Sequence, residues 1–198
     1  MNVCVIGNSA NVLDEELGDK IDLCDIVIRI QLFKIDGFEK HIGTKTSIFS
    51  SSWRSSAKVR NCFKSGNIDI ETTEIWSAFP LLGIRYSTCV DILGHSKIIQ
   101  PTSDFYNRVV SNIYSNYWTK KPSSGIMTLE MARSHFSKDK IYICGFDSKI
   151  EKDHYYDPNA IDRLGPGETL PGHNWEGEWN HIQCLLERKE IFHIRDFQ

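Results

Sequence analysis

Two histidines near the carboxyl end stand in surroundings suited to proton transfer. Asp153-His154-Tyr155-Tyr156-Asp157 places one among aromatic and acidic residues. Gly172-His173-Asn174-Trp175-Glu176-Gly177-Glu178 places the other at the entrance to a helix. An imidazole titrates near neutrality and can give or take a proton, which suits general acid or base work. A lone histidine is more often structural than catalytic, and His41, His95, His135, His181 and His193 are read that way.

Two further segments could hold an anion or a nucleotide. Gly7-Asn8-Ser9-Ala10-Asn11 lies between the first apolar strand and the helix after it. Glycine lets the backbone turn sharply, and Asn amides and Ser hydroxyls can bond a phosphate or a ribose. By itself the pentapeptide is equally an Asn-capped turn with no ligand. Lys121-Pro122-Ser123-Ser124-Gly125 leads into an apolar helix and then a strand ending in Gly145-Phe146-Asp147. Ser and Gly at a helix start offer hydroxyls and backbone N–H groups at the positive end of the helix dipole, again an anion site or a plain N-cap. The chain has no Asp-x-Asp, HExxH, GxSxG, Walker loop or full GxGxxG. His154 and His173 find no third ligand at a metal-binding spacing, so no metal is expected.

The elements that must position these residues follow from the apolar pattern. Strands are predicted over Val3–Ile6, Ile26–Ile30, Ser47–Ser50, Glu74–Phe79, Lys97–Ile99 and Lys140–Gly145. Helices are predicted over Asn11–Leu17, Ser55–Lys64, Phe105–Tyr117, Ile126–Phe136 and Glu176–Lys189. Strands alternating with helices imply βα units, a mainly parallel twisted sheet flanked by helices and an α/β class. The 198 residues fit one domain, 1–198. Residues 157–172 carry Pro158, Gly165, Pro166, Gly167, Pro171 and Gly172 with little apolar periodicity, and read as a mobile lid loop.

Charge narrows the partners. With 23 Lys+Arg against 26 Asp+Glu, the net charge of −3 argues against nucleic acid, which wants a basic excess. No apolar stretch reaches transmembrane length and no signal peptide is visible, which leaves peripheral membrane association open. The six cysteines are scattered and read as free thiols in the cytoplasm.

In order and together, these segments resemble the sialylmotifs of the glycosyltransferase family 29 sialyltransferases. The large motif is similar to Val5-Ile6-Gly7-Asn8-Ser9-Ala10-Asn11, continued by Ile21-Asp22-Leu23-Cys24-Asp25-Ile26-Val27-Ile28-Arg29, Gly37-Phe38-Glu39 and Gly43-Thr44-Lys45-Thr46. The small motif resembles Pro122-Ser123-Ser124-Gly125 with Gly145-Phe146, the third His154-Tyr155-Tyr156-Asp157, and the very small motif His173 with Glu178. The Gly7-Asn8 turn and Gly172-His173 more weakly resemble the family 42 bacterial enzymes.

The resemblance implies a single Rossmann-like domain, a variant of the GT-A type, that moves a sialic acid from CMP-sialic acid to a glycan or glycolipid hydroxyl. It implies His173 as base on the acceptor and His154 as donor to the leaving phosphate. Asn8 and Asn11 would meet the CMP phosphate and ribose, and Ser123, Ser124 and Gly125 the cytidine or the sugar carboxylate. Ser9, Gln31, Gly145, Phe146 and Tyr155 complete the implied donor site. A base on one face and a phosphate donor on the other gives inversion, with no metal and no cofactor.

Three departures stand out. Gln31 occupies a place where the family usually has Asn, and Val3 and Lys138 occupy the places of a family disulfide. With no visible anchor before the first motif, the expected source is bacterial or viral. CMP-Kdo or another CMP-ulosonic acid would suit the same contacts, as would a non-catalytic CMP-binding module. A Rossmann methyltransferase or dehydrogenase would need a glycine fingerprint and an acidic ribose clamp; Arg29 stands near the clamp position.

Overall fold

The computed structural model describes residues 1–65, 68–94, 98–113, 121–147, 154–156 and 173–198. Six strands form one sheet: β1 (Asn2–Ile6), β2 (Ile26–Ile30), β3 (Ile48–Ser51), β4 (Glu74–Ser77), β5 (Lys140–Cys144) and β6 (Phe192–His193). Their order is β4-β3-β2-β1-β5-β6, and every pairing between them is parallel.

The unbroken apolar run of β1 suits its place in the middle. A strand of a parallel sheet is covered on both faces and needs no polar alternation. Successive side chains point to opposite faces. Cys4 and Ile6 accordingly enter one core with Ile21, Val27, Phe49 and Trp53, and Val3 and Val5 enter the other with Ile126, Leu129 and Ile143. The first core is roofed by α1 (Gly18–Asp22), α2 (Glu39–Ile42), α3 (Ser56–Ser65) and α4 (Ile84–Leu93). The second is roofed by α5 (Ser103–Ile113), α6 (Ser124–His135) and α7 (Trp175–Glu187). The expected mainly parallel sheet between helical layers is what the chain forms.

Helix α6 lies across β1, β2 and β3, with Ile126, Met127, Leu129 and Ala132 almost wholly buried. Thr128, also buried there, shares a 2.7 Å hydrogen bond with the Ser50 hydroxyl, so neither polar group is stranded.

Several expectations are corrected. Asn11–Leu17 is not one helix. A 3-10 turn runs over Ala10–Asp14 and the chain breaks before α1, because Ser9 accepts from the Asn11 N–H and its carbonyl takes Val12 N at 3.2 Å, one residue too near for an α-turn. Serine, rather than an asparagine, caps this turn. Helix α4 was not expected; it begins after Gly83 (φ 54) and stops at Gly94 (φ 63), two glycines in backbone states other residues avoid. The one-turn α2 and two-residue β6 are too short to leave a periodic signal.

Strand β5 ends at Cys144, one residue early, because Gly145 turns the chain away at φ 72. Strand β4 stops at Ser77, ahead of Phe79. Of Lys97–Ile99, Lys97 lies outside the described residues, and Ile99 makes a single parallel bridge to Trp76. The predicted helix through Tyr117 is seen as α5, with 114–117 outside the described residues. The whole lid segment 157–172 also lies outside them. Among the described residues no helix is long and apolar enough to cross a membrane.

All six cysteines are free, Val3 sits in the core and Lys138 is exposed. The succession β1, β2, β3, β4 steps outward on one side of β1, and β5 returns on the other. The carboxyl ends of β1 and β5 therefore lie side by side at a topological switch, the place where open α/β sheets hold ligands.

Candidate functional site

At that switch two glycines pack backbone against backbone. A Cβ on Gly7 would lie 2.2 Å from the Gly145 carbonyl oxygen, and one on Gly145 would lie 2.5 Å from that of Gly7. Gly7 N donates to Cys144 O at 2.8 Å and Ser9 N to Gly145 O at 3.1 Å, so the two turns are laced together. No side chain fits between them.

The polar residues expected to meet a donor are held by one another. Asn8 donates both N–H groups of its carboxamide, to Ile30 O at 2.8 Å and Leu32 O at 2.9 Å, tying the turn to the end of β2. Only its Oδ1 remains for a ligand, an acceptor suited to a ribose hydroxyl rather than a phosphate. Asn11 donates to Phe146 O at 3.1 Å, and its Oδ1 is buried with no protein partner. Ser9 donates its hydroxyl to Asp147, a residue sequence reading did not single out. Gln31 sits at φ 57, a rare state for a residue with a side chain, and donates to the Ser124 hydroxyl. Its Oε1 accepts from Ser51 at 3.5 Å.

Ser123 caps α6, accepting from Ile126 N at 3.2 Å. Its own N–H and hydroxyl donate to the two carboxylate oxygens of Glu178, at 2.8 and 2.6 Å, in a site where Glu178 is 5% exposed. Glu178 thus fixes the head of α6. Nothing in its local sequence says so, since its partner lies 55 residues away. The first N–H groups of α6, from Ser124 and Gly125, have no partners within a helix, and the Phe146 ring approaches Gly125.

The two histidines reach this edge from different segments. His154 bridges Ser9 in antiparallel fashion, Tyr155 N donates to Asn8 O at 3.1 Å, and the His154 ring stacks on Tyr156 at 5.3 Å. Tyr155 is a buried anchor. Its hydroxyl donates to Lys34 O at 2.9 Å and accepts from Lys34 N at 3.1 Å, and burial pushes the phenol up to about 12, so it stays neutral. It positions His154 rather than offering a free hydroxyl.

His173 meets the Lys121 carbonyl through Nδ1 at 2.6 Å, two residues before Ser123. A carbonyl only accepts, so Nδ1 carries a proton, and in the neutral ring Nε2 then holds the lone pair, the tautomer of a base. The His173 ring also packs edge-on to Trp175 at 5.1 Å, ahead of the Asn174 cap of α7. His154 therefore stands over the β1 turn and His173 beside the head of α6.

The remaining described histidines have structural partners. His41 meets Glu15 O, His181 bonds Glu130, and His135 packs on Trp76. His193 lines a pocket of about 130 Å³ with Asn11, Gly145, Phe146, Trp179 and Arg195, beside the glycine turn. That volume takes a fragment of a ligand rather than a whole nucleotide sugar. His95 lies outside the described residues. Among the described residues, no three His, Cys, Asp or Glu side chains gather where a cation could be held.

Arg29 is 1% exposed and takes no part in this edge. It donates to the carbonyls of Ile42, Gly43 and Lys45 and to Thr46, lashing the loop after α2 to β2.

Comparison with known proteins bears on the same segments. Residues 1–79 match the family model for glycosyltransferase family 29 (sialyltransferase). The CMP-N-acetylneuraminate-beta-galactosamide-alpha-2,3-sialyltransferase 1 of Gallus gallus is 25% identical over 194 residues, covering 94% of this chain and 56% of that protein. A beta-1,6-galactosyltransferase of Arabidopsis thaliana is 44% identical over 48 residues, 24% of this chain and 12% of that one. A crystal structure of a mammalian sialyltransferase in complex with Gal-beta-1-3GalNAc-ortho-nitrophenol superposes with a TM-score of 0.67 at 19% identity, covering 96% of this chain and 67% of that one. The last shows a shared Rossmann-like α/β fold.

The chain spans little more than half the length of the Gallus gallus relative. These relatives are animal and plant proteins and lend no support to a bacterial source. The match to the family 29 model covers residues 1–79, the segment from β1 through β4 that carries the glycine turn.

Proposed function

We propose that this chain is a glycosyltransferase that moves sialic acid from CMP-sialic acid to a sugar hydroxyl, with inversion and without a metal. The observation that carries the reading is the pair of histidines at one sheet edge, His154 against Ser9 and His173 against Lys121. Binding alone has no use for a base poised beside a helix head.

In the reaction, the Nε2 lone pair of His173 accepts the proton of the acceptor hydroxyl as its oxygen attacks the anomeric carbon. The bond from that carbon to the phosphate oxygen breaks, and CMP leaves with the electron pair. His154 donates a hydrogen bond to the departing phosphate, with the first N–H groups of α6 lending positive potential to a carboxylate or phosphate. The Oδ1 atom of Asn8 accepts from ribose or base. The protein supplies alignment and charge stabilisation, so the chemistry asks for no Lewis acid. A cytoplasmic location is part of the proposal, supported by six free thiols.

The test offers CMP-sialic acid, CMP-Kdo and other CMP-sugars with and without simple galactosides, and scores free CMP. Galactoside-dependent release from CMP-sialic acid that survives excess EDTA is the expected result. Release only from CMP-Kdo would change the donor, and release from none would end the reading. Activity lost to EDTA and restored by Mg²⁺ or Mn²⁺ would replace the metal-free mechanism.

A further inference from the structure

Just past the carboxyl ends of β2 and β3, two residues hold backbone states that side chains disfavour. Gln31 sits at φ 57 and Trp53 at φ 53. Such states cost free energy and persist only where the surroundings over-determine them. Here they do. Gln31 N donates to Ser50 O at 2.8 Å, and Gln31 O accepts from the Cys62 thiol at 3.3 Å. Trp53 is wholly buried, its indole N–H donates to Trp76 O at 3.1 Å, and its ring packs on Phe49.

A line of hydrogen bonds joins the two strained turns and runs one way. The Trp53 backbone N–H donates to the Ser51 hydroxyl oxygen at 3.4 Å. Ser51, itself buried, donates its O–H to Gln31 Oε1 at 3.5 Å. With Oε1 so engaged, the carboxamide turns Nε2 to Ser124, and Nε2–H donates to the Ser124 hydroxyl oxygen. A serine hydroxyl has a single proton. Ser124 receives a donor from Gln31, so its own proton points elsewhere, and among the described residues no acceptor takes it.

Ser124 is the first residue of α6 and is half-buried. Its hydroxyl proton joins the N–H groups of Ser124 and Gly125, which have no partners within the helix. Hydrogen bonds in series polarise one another, and this series ends at the positive end of a helix dipole. Each link is oriented to deliver a donor, and an ionised acceptor makes the strongest partner for one.

We infer that Gln31 is a positioning residue: oriented by Ser51, it aims the Ser124 hydroxyl proton at an anionic group of the bound CMP-sugar, the phosphate or the sugar carboxylate. Gln31 acts through Ser124 and touches no ligand, since both ends of its carboxamide are engaged within the chain. The inference rests on the donor reading for the ligand, and on the hydrogen-bond line for the aim.

The test is calorimetric binding of cytidine, CMP and CMP-sialic acid to the full chain, without acceptor. Gln31→Gly keeps the backbone state, which glycine adopts without strain, and removes the middle link. It should weaken binding of CMP-sialic acid by roughly 10–100-fold, the worth of a hydrogen bond to a charged group, and leave cytidine unchanged. A loss shared by CMP names the phosphate, and a loss confined to CMP-sialic acid names the carboxylate. Gln31→Glu, of equal size, should be at least as damaging, because a carboxylate accepts the Ser124 proton and turns it inward. Ser124→Ala should match Gln31→Gly, and the double variant should lose no more than either alone. Wild-type affinity for CMP-sialic acid in both Gln31 variants would overturn the inference. An equal loss for cytidine, the mark of a structural role, would do the same, as would additive losses in the double variant, the mark of a direct contact. Transfer to a galactoside is followed in parallel. A chain that shows the Gln31 dependence in binding and transfers nothing refutes the transferase and supports the positioning role. A chain that binds neither CMP nor CMP-sialic acid overturns both.

Discussion

The chemistry proposed for His173 depends on which ring nitrogen holds its proton, and a backbone carbonyl decides that. Lys121 O accepts a hydrogen bond from Nδ1–H, and in the neutral ring Nε2 is then the base. His173→Ala should lower turnover by roughly 10²–10⁴-fold while calorimetry finds CMP affinity nearly unchanged. Lost CMP binding with turnover retained would reverse the assignment. Ser123 and Glu178 carry a different burden. Ser123→Ala removes an N-cap and one of the two donors to a buried carboxylate. A cost of about 1–3 kcal/mol in unfolding free energy is expected. Thermal melts of the variant would show it, and a wild-type melting temperature would mean that Glu178 is not held as described.

Among the elements, the contact between the ends of β1 and β5 shapes the site. Gly7 and Gly145 approach so closely that a single methyl group has no room. Gly7→Ala must push the two turns apart, at about 1–3 kcal/mol for an overpacked position, and it should weaken CMP binding as well, because Ser9 and Asn11 ride on the same turn. Calorimetry with CMP separates this from a purely structural loss. If the variant melts normally and binds CMP normally, the two strand ends are not packed as described.

Across the whole molecule, α6 and α7 are joined by charge as well as by their apolar faces. Arg133 donates to both oxygens of Glu130 at 2.8 Å and also bonds Glu190, while His181 reaches Glu130 at 2.9 Å. Burial pushes the Glu130 carboxyl up, but the His181 hydrogen bond and the Arg133 charge outweigh it and leave it below its ordinary 4.5. A carboxyl lowered in the folded state stabilises the fold above its unfolded value and loses that contribution as pH falls through the folded one. Denaturant melts from pH 6 downward should therefore show stability falling below about pH 4.5. Glu130→Gln should flatten that limb, and an unchanged pH slope in the variant would exclude the linkage.

Much of this was open to reading along the chain. The apolar run of β1, the break at Gly7, the Ser-Ser-Gly ahead of α6 and the two histidine segments are local patterns. Local patterns survive in sequence because backbone preference and burial act on near neighbours. The α/β class, the parallel sheet and the glycine turn followed from them. Helix α4 and the short α2 and β6 did not, since glycines at unusual φ and single turns leave no period.

What folding alone decided is which groups meet. The Gly7–Gly145 contact, the Glu178 clamp on Ser123 and the tautomer of His173 each join residues far apart in the chain. Such contacts are set by the order in which strands enter the sheet, because a parallel sheet brings together loop ends separated by whole βα units. The sequence by itself supplied the chemical groups and the edge they would share, and the tertiary structure chose their partners.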